Sequence, residues 1–332
     1  MSQSPAAEAL PLKDRSTGLL IFGVLEIFLG LFCVLMVPVM LLSTLIEQPG
    51  GAPSASVRMM VPAAVFYAEM ATFFIWIGIG SMLARRWARA VMLVVSWGWL
   101  VCGVMAMLLM VVLMPRMFAE MPPGQQMPAE MLVLMQIVMG GVLSCVYILL
   151  PGALVLFYQS KHVRATCERR DAEVRWTDRC PLAVLALVVL FAYGVSCMVW
   201  MPFYNFAMPL FGGFADGVAG AIVAVAIAAV LVYLVWGMYK LRTHAWWTAV
   251  VLTIVGSVSG VLTAARTDFL ELYRRMGFPP DQIELIKRTG MIEKMNEAWW
   301  VGIPVAIVFL AYLLYVKRHF TSGSAEPVAT AA

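Results

Sequence analysis

The sequence has little charge: only 13% of its 332 residues are Asp, Glu, Lys or Arg, and three are His. Soluble domains carry about 25% charged residues, so this chain lacks the charge that a water-facing surface needs. Its net charge of +4 is also too small to indicate nucleic-acid binding. These shortages exclude a soluble globular domain and argue against a nucleic-acid partner.

The sequence also lacks clustered cysteine and histidine. A disulfide framework would pair cysteines in extracytoplasmic loops, and a zinc site needs closely spaced ligand pairs. Four of the six cysteines fall in apolar segments and two fall in one basic loop. No nucleotide-binding loop or catalytic motif is present either. We therefore expect no cofactor, no metal site and no enzymatic activity.

Hydrophobic residues are abundant, at 62% of the chain with a mean hydropathy of +0.88. Apolar stretches of about 18 residues or more recur, each long enough to cross ~30 Å of hydrocarbon. Backbone groups in lipid must be satisfied internally, which favours helices. We predict an all-α integral membrane protein with about eight transmembrane helices. The predicted spans are 18–45, 60–83, 88–114, 131–158, 181–204, 217–239, 246–265 and 298–316.

Basic residues are concentrated in alternate loops, which orients the chain because short cytoplasmic loops are enriched in Lys and Arg. The long outer loop 266–297 has six basic and six acidic residues and counts little because of its length. The short loops on the other side carry only Arg58 and Arg116. We predict both termini in the cytoplasm, in a plasma membrane or a bacterial inner membrane. Small and polar residues predict disordered ends at 1–16 and 321–332. The inner basic residues are Lys13, Arg15, Arg85, Arg86, Arg89, Lys161, Arg164, Arg169, Arg170, Arg175, Arg179, Lys240, Arg242, Lys317 and Arg318.

Residues of the first half recur in order in the second half, at offsets between 157 and 164. The pattern predicts two four-span repeats, 17–164 and 181–320, joined by a basic cytoplasmic linker at 165–180. An even number of spans makes the two repeats parallel. The matches include Gly30 with Gly194, Cys33 with Cys197, Gly78 with Gly237, Trp87 with Trp246, Pro122 with Pro279, and Tyr158 with Tyr315.

The last outer loop, 266–297, has helical character. Asp281 and Glu284 have the spacing of a capping box, which predicts a helix capped by Asp281. The preceding segment, 269–276, alternates apolar and charged residues at helical spacing. It is either an interfacial packing element or a functional element, which would be a lid or a docking surface.

Two carboxylates lie well inside predicted spans. Glu26 is about 11 Å from the inner end of span one, and Glu69 is about 14 Å from the outer end of span two. Buried acids are costly in lipid and are functional candidates by default. One interpretation is a proton-sharing pair, and the other is hydrogen-bonding glue between spans. Gln136 and Tyr147 in span four are possible partners.

Methionines form two helical stripes at the outer side of spans three and four. Thioethers suit Cu(I), but methionine is also a flexible packing residue, and packing is the simpler interpretation. The stripes contain Met110, Met114, Met117, Met121, Met127, Met131, Met135 and Met139.

Residues 23–30, Gly-Val-Leu-Glu-Ile-Phe-Leu-Gly, resemble the first span of CD20-like tetraspan proteins, which combine a polar residue with small residues. That resemblance implies a non-enzymatic module that associates laterally with other membrane proteins. The chain as a whole resembles multipass proteins of bacterial membranes for which no activity is established.

Two functions are compatible with these features of the sequence. The first is a non-enzymatic scaffold or regulatory membrane module. Its partners would be the lipid bilayer and either other membrane proteins or a second copy of the chain. The alternative is a small proton-coupled carrier or channel with a site around Glu26 and Glu69.

Overall fold

A computed structural model describes residues 13–43, 57–119, 129–288, 292, 296, 300 and 302–321. The described residues are mainly helical. The helices are α1 Ser16–Ser43, α2 Val57–Met82, α3 Arg86–Ala119, α4 Ala129–Ser144, α5 Leu150–Gln159, α6 Lys161–Arg170, α7 Leu182–Met198, α8 Gly217–Tyr239, α9 Thr243–Arg266, α10 Phe269–Arg275, α11 Pro280–Arg288, α12 Gly302–Val316 and α13 Arg318–Thr321. A π-helical turn, Cys145–Leu149, joins α4 to α5.

Seven helical segments of the described chain are long and apolar enough to cross a membrane, which confirms an all-α multipass membrane protein. They are α1, α2, α3, α4 continued through the π-helical turn into α5, α8, α9, and α12 continued into α13. The predicted fifth span, 181–204, is the exception. There α7 covers only Leu182–Met198, 17 residues, or about 26 Å. A short 3₁₀ turn, Met201–Tyr204, follows it and contains Pro202, which cannot donate a backbone hydrogen bond.

The chain divides into two compact units. The first draws its residues from Met1–Phe28 and Phe74–Arg179, and the second from Leu29–Phe73 and Cys180–Ala332. Residues 165–179 of the predicted linker 165–180 therefore belong to the first unit, and Cys180 belongs to the second. They contain the end of α6 and a 3₁₀ turn at Trp176–Arg179.

A tight turn joins two long helices in each unit. In the first unit the turn after α2 places Ala84 at φ 52°, and in the second the turn after α8 places Leu241 at φ 53°. The N–H of Arg85 donates to Gly80 at 2.9 Å, and that of Arg242 donates to Gly237 at 2.8 Å. A left-handed residue with these bonds is a common helix C-terminal cap. Each residue of the first turn is separated from its counterpart in the second by 157 positions (241 − 84 = 157), an interval that is called the repeat offset below.

Glycine permits both turns to be tight. A Cβ atom at Gly80 would lie 2.7 Å from the Cβ of Ala88, and one at Gly237 would lie 2.5 Å from the Cβ of Ala245. The sequence pattern alone matches Gly237 with Gly78. The structure instead gives Gly80 and Gly237 the same role, which corrects that match by one half-turn of helix.

Other helix ends are separated by the same repeat offset. It relates the ends of α2 and α8, the starts of α3 and α9, the ends of α5 and α12, and the starts of α6 and α13. The repeat offset also relates two buried or half-buried hydroxyl groups. Ser96 donates to the carbonyl of Met92 at 2.7 Å, and Thr253 donates to that of Ala249 at 2.7 Å.

A small β-hairpin follows α7 in the second unit. Strand β1, Met208–Leu210, pairs antiparallel with β2, Gly213–Ala215. The turn between them is fixed on α9, since the N–H of Phe211 donates to Ser259 at 2.9 Å and that of Gly212 donates to Thr263 at 3.0 Å. The Gly/Pro-rich segment 203–216 therefore forms ordered structure on the helices.

The helices predicted in the last outer loop are present as α10 and α11, but the predicted cap is wrong. Helix α11 begins at Pro280, so Asp281 lies inside its first turn. The capping carboxylate is Asp268, which accepts from the N–H of Leu270 at 2.9 Å and starts α10. Proline is favoured at the first position of a helix, which explains why α11 starts earlier than expected.

Candidate functional site

Glu26 lies on the one face of α1 that is buried in the first unit. Leu19, Gly23 and Glu26 are buried, at the spacing of successive helical turns. Residues between them and beyond, such as Leu20 and Phe28, are 46% and 69% exposed. The sequence thus turns an apolar lipid-facing surface outward and places a single acid on the packed face.

Glycines bring α1 and α2 close together beside Glu26. A Cβ at Gly23 would lie 2.8 Å from the carbonyl oxygen of Gly78, and one at Gly78 would lie 2.7 Å from that of Gly23. Small residues are enriched where membrane helices approach in this way. The close approach brings α2, which carries Ser81, against α1.

A chain of three polar side chains connects α1, α2 and α5. The Tyr158 hydroxyl donates to Glu26 Oε1 at 2.8 Å, and it lies 3.0 Å from Ser81 Oγ. Because Tyr158 donates its only proton to Glu26, the hydrogen bond with Ser81 is donated by Ser81. Glu26, Tyr158 and Ser81 are 2%, 0% and 1% exposed, so the chain is sealed from both water and lipid.

The second carboxylate oxygen of Glu26 has a different environment. Oε2 is buried, and no described residue hydrogen-bonds to it. A buried polar atom without a partner is costly and calls for an explanation, such as a bound proton or a water molecule. Glu26 therefore presents one satisfied and one unsatisfied oxygen within the same packed site.

Glu69 lies in the second unit and has its own partner. Trp200 Nε1 donates to Glu69 Oε1 at 3.3 Å. The Trp200 ring also packs edge-on against Phe66, with ring centroids 5.4 Å apart. The two membrane carboxylates thus have separate partners in separate units, and a proton-sharing pair between them remains a prediction.

The two side chains predicted as partners from span four lie elsewhere along it. Gln136 is partly exposed on α4, and Tyr147 is 40% exposed in the π-helical turn. The backbone of Tyr147 packs tightly on α3, where a Cβ at Gly103 would lie 2.2 Å from its carbonyl oxygen. The hydrogen-bond partner of Glu26 is Tyr158, which the sequence singles out only as a repeated residue.

A second polar cluster surrounds Asp171, at the end of the first unit that carries its basic residues. Arg175 Nη2 approaches Asp171 Oδ1 at 2.7 Å, and Arg85 Nη1 approaches the same oxygen at 3.3 Å. The N–H of Arg86, the first residue of α3, donates to Oδ2 at 3.2 Å. Asp171, the residue after the end of α6, thus caps α3. The hydrogen bonds from Arg175 lower the pKa of its carboxyl from the ordinary 3.8.

Sequence reasoning misses this cap because the alternating charges of 168–179 are typical of a solvated linker. Asp171 is instead 2% exposed, and Cys167 is 1% exposed. Burial raises the pKa of the Cys167 thiol to about 11, which keeps it protonated and unreactive at neutral pH. The only signal in the sequence is an acid directly after α6. Its partner, the N–H of Arg86, is far away in the sequence and is not predictable.

The methionine stripes are described only in part. Met131 and Met139 are 55% and 41% exposed on α4. Met121 and Met127 lie outside the described residues. Within the residues that the structure describes, no group of three or more His, Cys, Asp or Glu side chains is placed to hold a metal ion.

Comparisons with known protein families, with curated proteins and with solved structures returned no match to this chain.

Proposed function

We propose that the chain is an eight-span membrane protein made of two parallel four-span repeats, with both termini in the cytoplasm. Helix α7 serves as the short fifth span. The repeat offset shared by helix ends, turns and hydroxyl hydrogen bonds supports the duplication. The concentration of Lys and Arg in alternate loops supports the orientation.

The biochemical role that we propose is a non-enzymatic scaffold or regulatory module, which associates laterally within the membrane. The observation that carries this proposal is the sealed chain of Ser81, Tyr158 and Glu26. A polar group that is closed off on all sides ties three helices together and fixes their relative positions, whereas a carrier site must open to water. The likeness of residues 23–30 to the first span of CD20-like proteins agrees with lateral association.

A proton-coupled carrier or channel is the second candidate, and the bare Oε2 of Glu26 favours it. An oxygen without a partner can hold a transferable proton, and the Ser81–Tyr158 pair would form the first part of a relay. Glu69, beside Trp200, would then belong to the same pathway. This candidate requires that Glu26 exchange protons with solvent.

The substitution Glu26→Gln separates the two roles. Glutamine keeps an acceptor for Tyr158 and nearly the same volume, but it cannot lose a proton. If the scaffold proposal is correct, the variant folds with nearly unchanged thermal stability, and proteoliposomes with either protein show no proton flux above that of empty liposomes.

Proton flux in the parent protein that disappears in the Glu26→Gln variant would overturn the scaffold role in favour of the carrier. A matched control is Tyr315→Phe, at the position one repeat offset after Tyr158, where the side chain is 53% exposed. Carbodiimide labelling of Glu26 across pH 5 to 9 (an approximate range suited to carboxyl titration) gives an independent readout. A sealed structural carboxyl resists the reagent throughout.

A further inference from the structure

Cations and aromatic rings are paired in the second unit where α8 ends, α9 begins and α12 ends. The segments 240–244 and 317–320 contain four Lys or Arg and no Asp or Glu. Each of the four cations lies over a ring: Lys240 over Tyr239 at 6.0 Å, Arg242 over Trp236 at 5.3 Å, Lys317 over Trp246 at 5.1 Å and Trp247 at 5.9 Å, and Arg318 over Tyr315 at 4.3 Å. These segments therefore concentrate positive charge at an aromatic-rich rim.

In the first unit, the turn after α2 and the start of α3 bind a carboxylate. Asp171 accepts from the N–H of Arg86 and lies 3.3 Å from the guanidinium of Arg85. The turn after α2, together with the start of α3, thus holds an anionic group between a helix N-terminus and an arginine. Both features favour negative charge.

The second unit repeats these anion-binding groups without the acid. Arg242 and Thr243 correspond to Arg85 and Arg86 by the repeat offset, at the same turn and helix start. The position that corresponds to Asp171 is Val328. Helix α9 begins with no side-chain cap hydrogen bond from Arg242, and its first turn has no acid.

A second cation reaches the same helix start from α12 and α13. The hydroxyl of Thr243 donates to the carbonyl of Phe320 at 3.4 Å, and Trp246 Nε1 donates to that of Leu313 at 2.8 Å. These bonds hold the joint between α12 and α13 beside the N-terminus of α9. Lys317, at that joint, therefore lies over the rings of the first two turns of α9.

We infer that the cationic rim of Arg242 and Lys317, at the start of α9, binds the phosphate of an anionic phospholipid. A phosphate takes the place that the Asp171 carboxylate has in the first unit. Arg242 offers its planar guanidinium, and Lys317 supplies a point charge. Trp236 and Trp247, 50% and 54% exposed, lie at the rim where aromatic side chains meet headgroups. This inference rests on the proposed duplication.

The test uses the purified full chain in phosphatidylcholine nanodiscs with and without phosphatidylglycerol. Retained phosphatidylglycerol is counted by native mass spectrometry, and its affinity is obtained by titration. We expect the double variant Arg242→Gln/Lys317→Gln to bind phosphatidylglycerol roughly ten- to thirty-fold more weakly, since each cation contributes to attraction for an anionic surface. The matched control Lys161→Gln/Arg179→Gln removes the same charge from exposed positions of the first unit and changes affinity less than about threefold.

Three results would overturn the site. An equal loss in the control pair would mean diffuse attraction to the basic loops. Full competition by inorganic phosphate would assign the site to the free ion. Tighter phosphatidylglycerol binding in Glu326→Gln would mean that this carboxylate of the C-terminal segment occupies the site. The titration does not depend on membrane orientation, so an error in the proposed topology would appear separately, in cysteine labelling of intact cells.

Discussion

Tyr158 and Tyr315 correspond by the repeat offset and lie at the ends of matching helices, but their surroundings differ. Tyr158 is fully buried and donates to Glu26, whereas Tyr315 is 53% exposed and accepts from Arg318 Nη2. Ser81, the other partner of Tyr158, corresponds to Met238, which is buried. The same backbone framework therefore encloses a polar site in the first unit and an apolar packing position in the second. Helices of the two units end at positions separated by the repeat offset, and the buried polar site lies in the unit that contains Glu26.

Among the substitutions that test the difference between Tyr158 and Tyr315, Tyr158→Phe should have the largest effect on stability. The change removes the partner of Glu26 Oε1 and of the Ser81 hydroxyl, so that neither oxygen of the buried Glu26 carboxyl is hydrogen-bonded. We expect it to lower the free energy of unfolding by about 2–3 kcal/mol. The same change at Tyr315 should cost less than about 0.5 kcal/mol, because that hydroxyl reaches an exposed arginine. Thermal unfolding in detergent measures both. Equal costs would mean that burial does not distinguish the two tyrosines.

The change Asp171→Asn should lower the free energy of unfolding by about 1–2 kcal/mol, because it removes a charged helix cap. The folded pKa of Asp171 is below the ordinary 3.8, so its contribution is fully present above that pH and is lost as the pH falls through the lowered value. Unfolding curves between neutral pH and about pH 3 test this. An Asp171→Asn variant whose acid sensitivity equals that of the parent protein would contradict the assignment.

The tight turns after α2 and α8 should be equally sensitive to substitution of their glycines. Gly80→Ala and Gly237→Ala each force a methyl group against an alanine of the next helix, and each should cost about 1–2 kcal/mol. Gly98→Ala is the control, since nothing lies within 4 Å of its added Cβ, and helix propensity favours alanine by about 1 kcal/mol. Thermal unfolding in detergent again provides the comparison. A cost at only one of the two turns would break the proposed equivalence of the units.

Composition and hydropathy are sufficient for the membrane class and for most helix positions, because both depend on local apolar content. The prediction of Glu26 as a packed polar residue also needs only its position in an apolar span. Its partner is not predictable, since Tyr158 lies far away in the sequence and α5 has to be oriented by the π-helical turn and Gly103.

The cap of α3 cannot be predicted from the sequence for a related reason. Asp171 lies among alternating charges, which on sequence alone are typical of solvated chain. Its burial depends on Arg85 and on the start of α3, both of which are supplied from another loop. Similarly, Asp281 has the spacing of a cap, but Pro279 and Pro280 allow the helix to start two residues earlier, at Pro280. Local spacing identifies the helix, and the tertiary contacts choose its first residue.

The π-helical turn at Cys145–Leu149 divides a long helix into two mechanically distinct parts. A single extra residue in a helix shifts everything beyond it by about 100° around the axis. Removal of one residue from this turn would therefore rotate α4 as a rigid rod while α5 stays on α3. The π-helical turn is thus a point at which the rotation of one half of the span can change while the other half keeps its packing.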